Sequence, residues 1–361
     1  MNKRKPKFNF EYKPLILNLK KLRDKKIFLK LKKDRKIKLV DNYTEQLKEL
    51  FAIKEPKKFF SENFEPEFNN NLNRIKNVNE EGRWVYFSWL NSAVHILEEG
   101  DFFCVRTARN KLLINEDEQL RFYNSYIGIA GLSIGSSVAM SIVLQGGAKK
   151  IKLADFDILS LSNTNRINSG IQNLGSPKIY NLAKQIYEIN PYAKLEFFTQ
   201  GLNKSNIKKF TKNLDLIVDE MDDLELKFRL RLAAKKYKIP LIMGADNADM
   251  AVVDIERYDI NKSQKFFLGR VKQHEFKKIN TFTKKQVGQL IAKIIGIENH
   301  SPRMLLSLRE IGNSIISWPQ LGGTAMLNGS AVCYFIRIII AQKNKISGRF
   351  LYPLNQDSYG K

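Results

Sequence analysis

The sequence predicts an α/β fold built on a doubly wound, mainly parallel sheet. Between about residues 126 and 244, short apolar runs alternate with amphipathic runs, which is the pattern of strands joined by helices in βαβ units. Glycine or proline stands at several boundaries between these runs, where the chain must turn. Beyond about residue 271 the pattern becomes mainly helical. We therefore expect a sheet domain with an N-terminal α/β extension and a helical C-terminal part.

The elements of the sheet domain follow from the same runs. Pro177 suits the first turn of a helix and Pro191 cannot continue one, so a helix is predicted from about Pro177 to the residue before Asn190. Other helices are predicted at about 136–145, 203–212 and 224–237, with a final apolar helix that ends near Ala341. The predicted strands are Tyr126–Ala130, Lys150–Ala154, Lys194–Phe198, Leu214–Asp219 and Pro240–Gly244.

The length of 361 residues is enough for two or three packed units. We expect an N-terminal α/β region at 1–104, a sheet domain at 105–270 and a mainly helical region at 271–361 that packs on the sheet domain. In the first region, Leu15–Leu17 and Trp84–Phe87 are predicted strands.

The composition is that of a globular protein. Hydrophobic residues make up 43% and charged residues 27%, which excludes a mainly disordered chain. The longest strongly apolar stretch, Ala331–Ala341, is about half a membrane span and contains Arg337. No apolar signal-peptide core follows the basic N-terminus. We therefore predict a cytoplasmic protein with no membrane-spanning segment.

The cysteines and histidines give no framework for a disulfide-rich fold or a metal site. Cys104 and Cys333 are the only cysteines, and both lie in apolar runs, so we expect them in the core. The three histidines, His95, His274 and His300, are far apart and lack metal-ligand spacing.

The net charge of +24 is concentrated near the N-terminus. Residues 1–40 carry sixteen Lys or Arg residues and three acidic residues. Such an arm attracts nucleic acid, an acidic partner or an anionic surface. A general lysine bias explains the charge equally simply, because lysines occur along the whole chain.

A candidate phosphate loop joins the first predicted strand of the sheet domain to its helix. The segment 131–136 reads Gly-Leu-Ser-Ile-Gly-Ser, with serines at two positions where a dinucleotide fingerprint has glycines. A helix N-terminus offers free N–H groups to an anion, and serine hydroxyls can add donors. We expect an anion site at Gly131, Ser133, Gly135 and Ser136, with a ligand-free turn as the alternative.

Charged residues follow the later strands. Asp155 and Asp157 come after the second strand, where a carboxylate can accept hydrogen bonds from ribose hydroxyls. Arg166 and Lys178 then suit a triphosphate better than a nicotinamide dinucleotide. The acidic run 219–223 ends a further strand, and acids at a sheet edge suit Mg²⁺.

Together these motifs resemble those of the ThiF/MoeB/HesA adenylyltransferases, which are relatives of the ubiquitin-activating enzymes. The resemblance covers about residues 106–260 and extends more loosely to about 345. The residues on which the resemblance rests are Gly131-Leu132-Ser133, 153–157, Ser162-Asn163 with Arg166, Gly175 with Pro177-Lys178, and Asp219 with Asp222. It implies a Rossmann-like fold, a homodimer, and Mg-ATP attacked by a carboxylate, usually the C-terminal glycine of a ubiquitin-like carrier protein. The products are an acyl-adenylate and pyrophosphate.

The resemblance also implies roles for single residues. Asp155 would hold the ribose, with Asp157 beside it in the cofactor site, and Asp222 would hold Mg²⁺. Arg109 lies in a segment similar to the family's Arg-x-x-Arg-Gln, whose second arginine acts across a dimer interface. The residues expected on the phosphates are Asn163, Arg166 and Lys178.

Several positions depart from the family pattern. Loop glycines are replaced at Ser133, Ile134 and Ser136, and the usual Asp-Asn pair is Asp222-Asp223. The paired CxxC zinc motifs are absent, as is a cysteine where a thioester-forming relative has one. The N-terminal hundred residues resemble a bacterial subgroup of ThiF-like proteins.

Three other functions stay open at this stage. A tRNA-modifying dehydratase of the same fold would adenylate a carboxylate on tRNA, and the basic arm motivates it. The lost loop glycines motivate a catalytically degenerate nucleotide-binding or scaffold protein. A flavin or nicotinamide oxidoreductase is least favoured, because the arginine and lysine positions suit a triphosphate.

Overall fold

The computed structural model describes residues 12–277 and 279–354. The chain divides into two compact units. One holds the residues up to Asn115 together with Ala183–Tyr192, and the other holds Glu116–Leu182 and the residues from Ala193 onward. The predicted domain division into 1–104, 105–270 and 271–361 stays a prediction.

The first unit contains a small mixed sheet and several helices. Its elements are β1 (Leu15–Leu17), α1 (Leu22–Lys33), β2 (Lys38–Asp41), α2 (Tyr43–Lys54), α3 (Pro56–Phe59), α4 (Phe64–Asn73), β3 (Arg83–Phe87), β4 (Ser92–Ile96) and α5 (Glu99–Thr107). The strand order is β1-β3-β4-β2, with β2 parallel to β4 and the other pairs antiparallel. This confirms the predicted strands at 15–17 and 84–87; β2 and β4 were not predicted.

His95 is a fully buried polar residue in this unit. Its ring stacks between Tyr43 and Trp84, with ring centroids 4.1 and 4.7 Å away. Its Nδ1 lies 2.9 Å from Asp41 Oδ1, and its Nε2 lies 2.8 Å from the carbonyl oxygen of Glu81. Both ring nitrogens therefore have partners, which balances the cost of burying the ring.

The second unit contains the larger sheet. Its elements are α6 (Glu116–Asn124), β5 (Tyr126–Ala130), α7 (Ile134–Leu144), β6 (Lys150–Ala154), α8 (Lys178–Ile189, whose last residues belong to the first unit), β7 (Lys194–Phe198), α9 (Ile207–Thr211), β8 (Leu216–Asp219), α10 (Leu224–Tyr237), β9 (Leu241–Asn247), β10 (Met250–Glu256), α11 (Gln273–Lys277), α12 (Lys284–Ile295), α13 (Pro302–Glu310), α14 (Gly322–Ile340) and β11 (Gly348–Pro353).

The large sheet has the strand order β11-β10-β9-β8-β5-β6-β7. The five strands from β9 to β7 are parallel, and β10 and β11 are antiparallel additions. The strand order reverses between β5 and β8, and in such sheets ligands bind at the carboxyl ends of the strands at this switch point. Ala130 pairs with both Ala154 and Asp219, so the residues that follow β5, β6 and β8 meet at one edge. The predicted α/β, doubly wound, Rossmann-like fold is confirmed.

The antiparallel extension corrects the sequence prediction. The strand predicted to end at Gly244 continues to Asn247, turns at Ala248-Asp249 and returns as β10. The sequence there reads Ala-Asp-Asn-Ala-Asp, which favours a loop, but Asp246 and Asn247 are buried and hydrogen-bonded within the unit. Tertiary contacts therefore override the local preference.

Helix α14 packs against α7, β9 and β10. A Cβ atom at Gly329 would lie 2.7 Å from the backbone of Ser137, so glycine allows the two helices to approach closely. Among the described residues, α14 alone has the length and apolar composition to cross a membrane, and 61% of that stretch is buried inside the unit. The helix is longer than the predicted apolar stretch, because its first turns, which mix small, polar and apolar residues, continue into the apolar run Ala331–Ala341.

Candidate active site

The turn after β5 requires a glycine. Gly131 has a φ of +88°, and a Cβ atom there would lie 2.3 Å from the carbonyl oxygen of Glu220. Its N–H donates to the carbonyl oxygen of Ala154 at 2.9 Å. The first glycine of the predicted loop is therefore needed both for its backbone angle and for the close approach of β5 to the end of β8.

The N-terminus of α7 follows this turn, and Ser133 is its N-cap residue. The Ser136 hydroxyl donates to the carbonyl oxygen of Ser133 at 2.7 Å, while the Ser133 hydroxyl accepts from Arg166 Nε at 3.0 Å. Gly135 is buried under the loop, where a Cβ atom would be 3.0 Å from Ile129. The loop therefore combines a helix N-terminus, which favours anions, with an arginine fixed beside it.

Asp155 links β6 to this loop. It is 8% exposed, and its two oxygens accept from the N–H groups of Leu132 and Asp157, both at 2.7 Å. Burial raises the pKa of Asp155 above its ordinary value, and these two donors offset part of the rise. The predicted ribose ligand thus also holds the phosphate loop in place.

Asp157 and Lys178, both predicted cofactor ligands, form an ion pair. Lys178 Nζ lies 2.8 Å from Asp157 Oδ2, and the N–H of Lys178 donates to the carbonyl oxygen of Asp157 at 2.9 Å. Lys178 is 7% exposed, at the first residue of α8. The two residues were predicted to lie in one site, but the ion pair between them was not predicted.

Arg166 is the cation that the structure places at the loop. In addition to Ser133, it donates to Asn165 Oδ1 at 3.0 Å. Burial lowers the pKa of Arg166, and the carboxylates of Asp222 and Asp246 counteract this effect. Asn163, predicted to contact phosphate, belongs to the short 3₁₀ helix Leu161–Asn163, and its side chain accepts from the N–H of Ser160 at 3.2 Å.

Asp219 ends β8 in a network of buried charges. Its carboxylate lies 2.5 Å from Arg231 and 3.3 Å from Lys227, and Arg231 lies 2.7 Å from Glu256. Burial raises the pKa of Asp219, but Lys227 and Arg231 outweigh it and bring the pKa below its ordinary value. The network anchors the end of β8 to α10 and β10.

Asp222 lies three residues further on and is exposed. Its neighbour Asp223 is the N-cap of α10 and accepts from the N–H of Leu226 at 2.8 Å. Among the described residues, no group of three or more His, Cys, Asp or Glu side chains could hold a metal ion. One exposed carboxylate still fits Mg²⁺, which commonly binds one or two carboxylates together with substrate phosphates and water.

A cavity of about 370 Å³ lies beside this edge. Arg166, Asp222 and Lys227 line it, together with the residues just after β8, the end of β9, residues of α12, and Ser317, Trp318 and Gln320. Two lining acids, Glu220 and Asp246, were not predicted as site residues. Glu220 follows β8 and Asp246 lies near the carboxyl end of β9, and this position was the signal that could have found them.

Glu220 and Asp246 are buried acids without a cation bonded to them among the described side chains. Glu220 is 8% exposed; Oε1 accepts from the N–H of Gly244 at 2.9 Å, and Oε2 has no hydrogen-bond partner in the described part of the chain. Burial raises the pKa of Glu220 well above its usual value, which favours the protonated carboxyl. Asp246 is 3% exposed and accepts from Asn328 Nδ2 at 3.1 Å. Burial raises its pKa to about 6.

Helix α12 contributes to the wall of the cavity, and Arg349 of β11 is hydrogen-bonded to the last residues of α12. Arg349 donates to the carbonyl oxygens of Ile295, at 2.6 Å, and Ile294, and pairs with Asp254 of β10 at 2.6 Å. Ile294 and Ile295 line the cavity. The antiparallel strands therefore hold in place two residues of the cavity lining.

The remaining predicted residues lie elsewhere. Arg109 belongs to the first unit, where it is exposed in the 3₁₀ turn Ala108–Asn110, and its action across a dimer interface stays a prediction. Cys333 is fully buried, as expected, and burial raises its pKa to about 12, which disfavours a reactive thiolate. Cys104 is only partly buried, although the sequence predicted a core position.

Comparison with known proteins finds relatives that match part of the chain. A protein of Mycobacterium tuberculosis named only as uncharacterized is 32% identical over 75% of this chain and 38% of its own length. Yeast tRNA threonylcarbamoyladenosine dehydratase 2 is 30% identical over 47% of this chain and 39% of its own length. The molybdopterin-synthase adenylyltransferase of Haemophilus influenzae is 26% identical over 41% of this chain and 61% of its own length. The chain thus spans less than two thirds of each relative.

One solved structure and one family model also match this chain. The crystal structure of selenomethionine PaaA superposes with a TM-score of 0.50 and 16% identity, covering 70% of this chain and 77% of PaaA. Residues 107–298, which include the turn at Gly131, Arg166, Lys178 and Asp222, match the model of the ThiF family. The chain belongs to the ThiF family.

Proposed function

We propose that this protein is an ATP-dependent adenylyltransferase that converts a carboxylate into an acyl-adenylate. The observation that carries the proposal is the edge at the β5–β8 switch point, where the Gly131 turn, the N-terminus of α7, Arg166 and Asp222 come together. Several relatives in the same family are named adenylyltransferases. A site with a helix N-terminus, an arginine and an exposed acid suits Mg-ATP.

The proposed reaction needs no protein nucleophile. An oxygen of the substrate carboxylate attacks the α-phosphorus of ATP, and the bond between that phosphorus and the pyrophosphate oxygen breaks. The loop 131–136, Asn163, Arg166 and Lys178 would orient the phosphates and stabilise their charge, and Asp155 and Asp157 would face the ribose. Mg²⁺ held by Asp222 would neutralise charge on the phosphates when bound.

The expected partners are also proposals. The family resemblance makes the C-terminus of a ubiquitin-like carrier protein the expected carboxylate and a homodimer the expected assembly. Exposed apolar residues between β6 and α8 support a second copy as partner; they are Phe156, Ile158, Leu161 and Ile171. Light scattering of the purified chain tests the dimer, and pyrophosphate exchange by Arg109→Ala tests the role of that arginine across it.

Ligand-dependent thermal stability and pyrophosphate exchange test the reaction. Mg-ATP at a hundred times its Kd should stabilise the chain by about 2.7 kcal/mol, whereas NAD, NADP and FAD should not. Asp222→Asn should lower ATP–pyrophosphate exchange by about 100-fold. Asp223→Asn is the matched control, because asparagine also caps a helix and should leave exchange unchanged. A shift with a dinucleotide alone would overturn the proposal, and equal exchange by both variants would show that Asp222 is wrongly assigned.

A second candidate is a tRNA-modifying dehydratase that adenylates a carboxylate on tRNA. It is favoured by a relative named as such and by exposed cations on and after α1, namely Lys26, Lys30, Lys32, Lys33, Arg35 and Lys36. Phosphate contacts would make tRNA binding fall steeply with salt. Failure to retain tRNA at low salt removes this candidate.

A further inference from the structure

The cavity beside the nucleotide edge has the size and lining of a small-ligand pocket. Its volume of about 370 Å³ lies in the range of pockets that enclose small molecules. Much of its wall is apolar, with Met243, Ile291, Ile294 and Trp318 among the lining residues. Such a wall favours an apolar group over an extended polar backbone.

The cavity begins where the proposed reaction takes place. Arg166, Asp222 and Ile134, the first residue of α7, line both the phosphate site and the cavity. A carboxylate that attacks the α-phosphorus from this side would have the rest of its molecule in the cavity. The lining therefore contacts the acyl group next to the reacting carboxylate.

A hydrogen-bond acceptor is built into this apolar space. Asp246 Oδ1 accepts from the amide of Asn328, Asp246 Oδ2 has no hydrogen-bond partner in the described part of the chain, and the charge of Asp246 interacts with that of Arg166. Glu220 has an unpartnered buried Oε2 in the same lining. An ionised carboxylate has room for further hydrogen bonds, so Asp246 can accept one from a ligand.

We propose that the cavity selects an α-amino acyl group with an apolar side chain, whose α-nitrogen donates to Asp246 while its carboxylate reacts beside Arg166. In such a group the nitrogen and the carboxylate are bonded to the same carbon, which matches an acceptor close to the reacting end. Glycine, the expected C-terminal residue of a carrier, would leave the apolar wall without a partner. This assignment rests on the proposed function, because it places the reacting carboxylate at Arg166.

The same chemistry has two sources, a free amino acid or the last residue of a peptide. ATP–pyrophosphate exchange by the full chain should therefore be measured with leucine, glycine, 4-methylpentanoate, and short peptides that end in leucine or glycine. Leucine, free or C-terminal, should exceed its glycine counterpart by about 10- to 100-fold in kcat/KM, because it buries an isobutyl group. If free leucine is the source, 4-methylpentanoate, which lacks the nitrogen, should be about 10-fold poorer than leucine.

Variants separate recognition of the acyl group from structural effects. Asp246→Asn should raise KM for the leucyl substrate about 10-fold and leave the affinity for Mg-ATP unchanged. Asp249→Asn, in the exposed turn after β9, is the matched control. Ile291→Trp fills the cavity and should reverse the preference of leucine over glycine, whereas Ile297→Trp, at an exposed site outside the lining, should not.

The outcomes test three claims separately: the cavity assignment, the role of Asp246 and the adenylation proposal. If Mg-ATP binds and glycine equals leucine, or no apolar amino acyl carboxylate stimulates exchange, the cavity assignment is overturned and the adenylation proposal survives. If free leucine reacts and 4-methylpentanoate reacts equally well, the role of Asp246 is overturned. If only the peptide reacts, the cavity binds the C-terminal residue of a peptide. The Asp246→Asn result then decides whether Asp246 binds the nitrogen of that residue. Failure of Mg-ATP to bind the wild-type chain overturns both proposals.

Discussion

Asp219 and Glu220 are neighbours at the end of β8, and the charge of Lys227 acts on both, yet only Asp219 forms ion pairs. Asp219 belongs to a buried network in which Lys227, Arg231 and Glu256 balance one another. Glu220 belongs to the cavity lining with Asp246, where one carboxyl oxygen has no partner among the described residues and no cation is bonded. Burying a charge is costly unless it is paired.

The difference separates two uses of buried acids. Every charged group of the Asp219 network has an oppositely charged partner, and Arg231 also lies 3.7 Å above the ring of Phe267, so we assign this network to holding the sheet edge. Glu220 and Asp246 have no ion pair among the described residues, and both line the cavity beside the proposed phosphate site. Incomplete pairing at a cavity is a common property of sites that bind a ligand.

Breaking the complete network should have the largest effect on stability. Arg231→Met leaves Asp219 and Glu256 without their shared cation and should lower the free energy of unfolding by about 3–5 kcal/mol, measured by urea unfolding. Arg229→Met is the matched control on the same helix, because its pair with Glu225 is largely exposed and should contribute about 0–1 kcal/mol. Equal losses in the two variants would remove the distinction between the networks.

The pH dependence of stability should reveal the incomplete pair. The pKa of Asp246 is about 6 in the folded chain against a reference value of 3.8. Between these values the folded state binds more protons than the unfolded state, so the free energy of unfolding falls as the pH rises from about 4 to about 6. The fall should be about 2 kcal/mol in this window and should reach about 3 kcal/mol between about pH 3 and about pH 7.

Asp246→Asn lacks this contribution, so its free energy of unfolding should fall less than that of the wild type when both proteins are unfolded in urea across that pH window. Asp249→Asn should follow the wild type, because Asp249 is exposed. A parallel course of the wild type and Asp246→Asn would show that Asp246 ionises normally.

The smallest effect is expected at Glu220 itself. Burial already favours its protonated form, and glutamine has a similar shape, so Glu220→Gln should change the free energy of unfolding at neutral pH by less than about 1 kcal/mol. Asp219→Asn, one residue earlier, should cost about 3 kcal/mol, because it leaves two buried cations undercompensated. Calorimetric unfolding of both variants checks the contrast; a larger loss at Glu220 would mean that it is a charged member of the network.

The parallel part of the fold was predictable because its signals are local. β5, β6 and β7 match their predicted bounds, and Gly131 shows the positive φ that a tight strand-to-helix turn needs. The strand β11 was missed because its pairing with β10 joins residues about a hundred positions apart, and its own sequence, Gly-Arg-Phe-Leu-Tyr-Pro, begins and ends with turn residues. Non-local pairing leaves little trace in a short segment.

The candidate site was predictable in part for the same reason. The motifs predicted that Arg166 lies at the loop Gly131–Ser136. In the structure Arg166 contacts Ser133 of that loop. The cavity could not be predicted, because its walls come from strands, α12 and residues 317–320, which only the folded chain assembles. The acidic run 219–223 was visible, but which acid is paired, capping, exposed or unpartnered depends on tertiary contacts.

The contacts of Arg349 with α12 and with Asp254 have a consequence for how members of the ThiF family can diversify. The phosphate loop depends on β5, β6 and β8, whereas the cavity wall depends on β10 and β11 through Arg349 and the last carbonyl groups of α12. Mutations on the antiparallel strands can therefore reshape the α12 side of the proposed acyl pocket without changing β5, β6 or β8. The side that the pocket shares with the proposed phosphate site, at Arg166 and Asp222, would stay the same, so substrate choice can change while the proposed chemistry is kept.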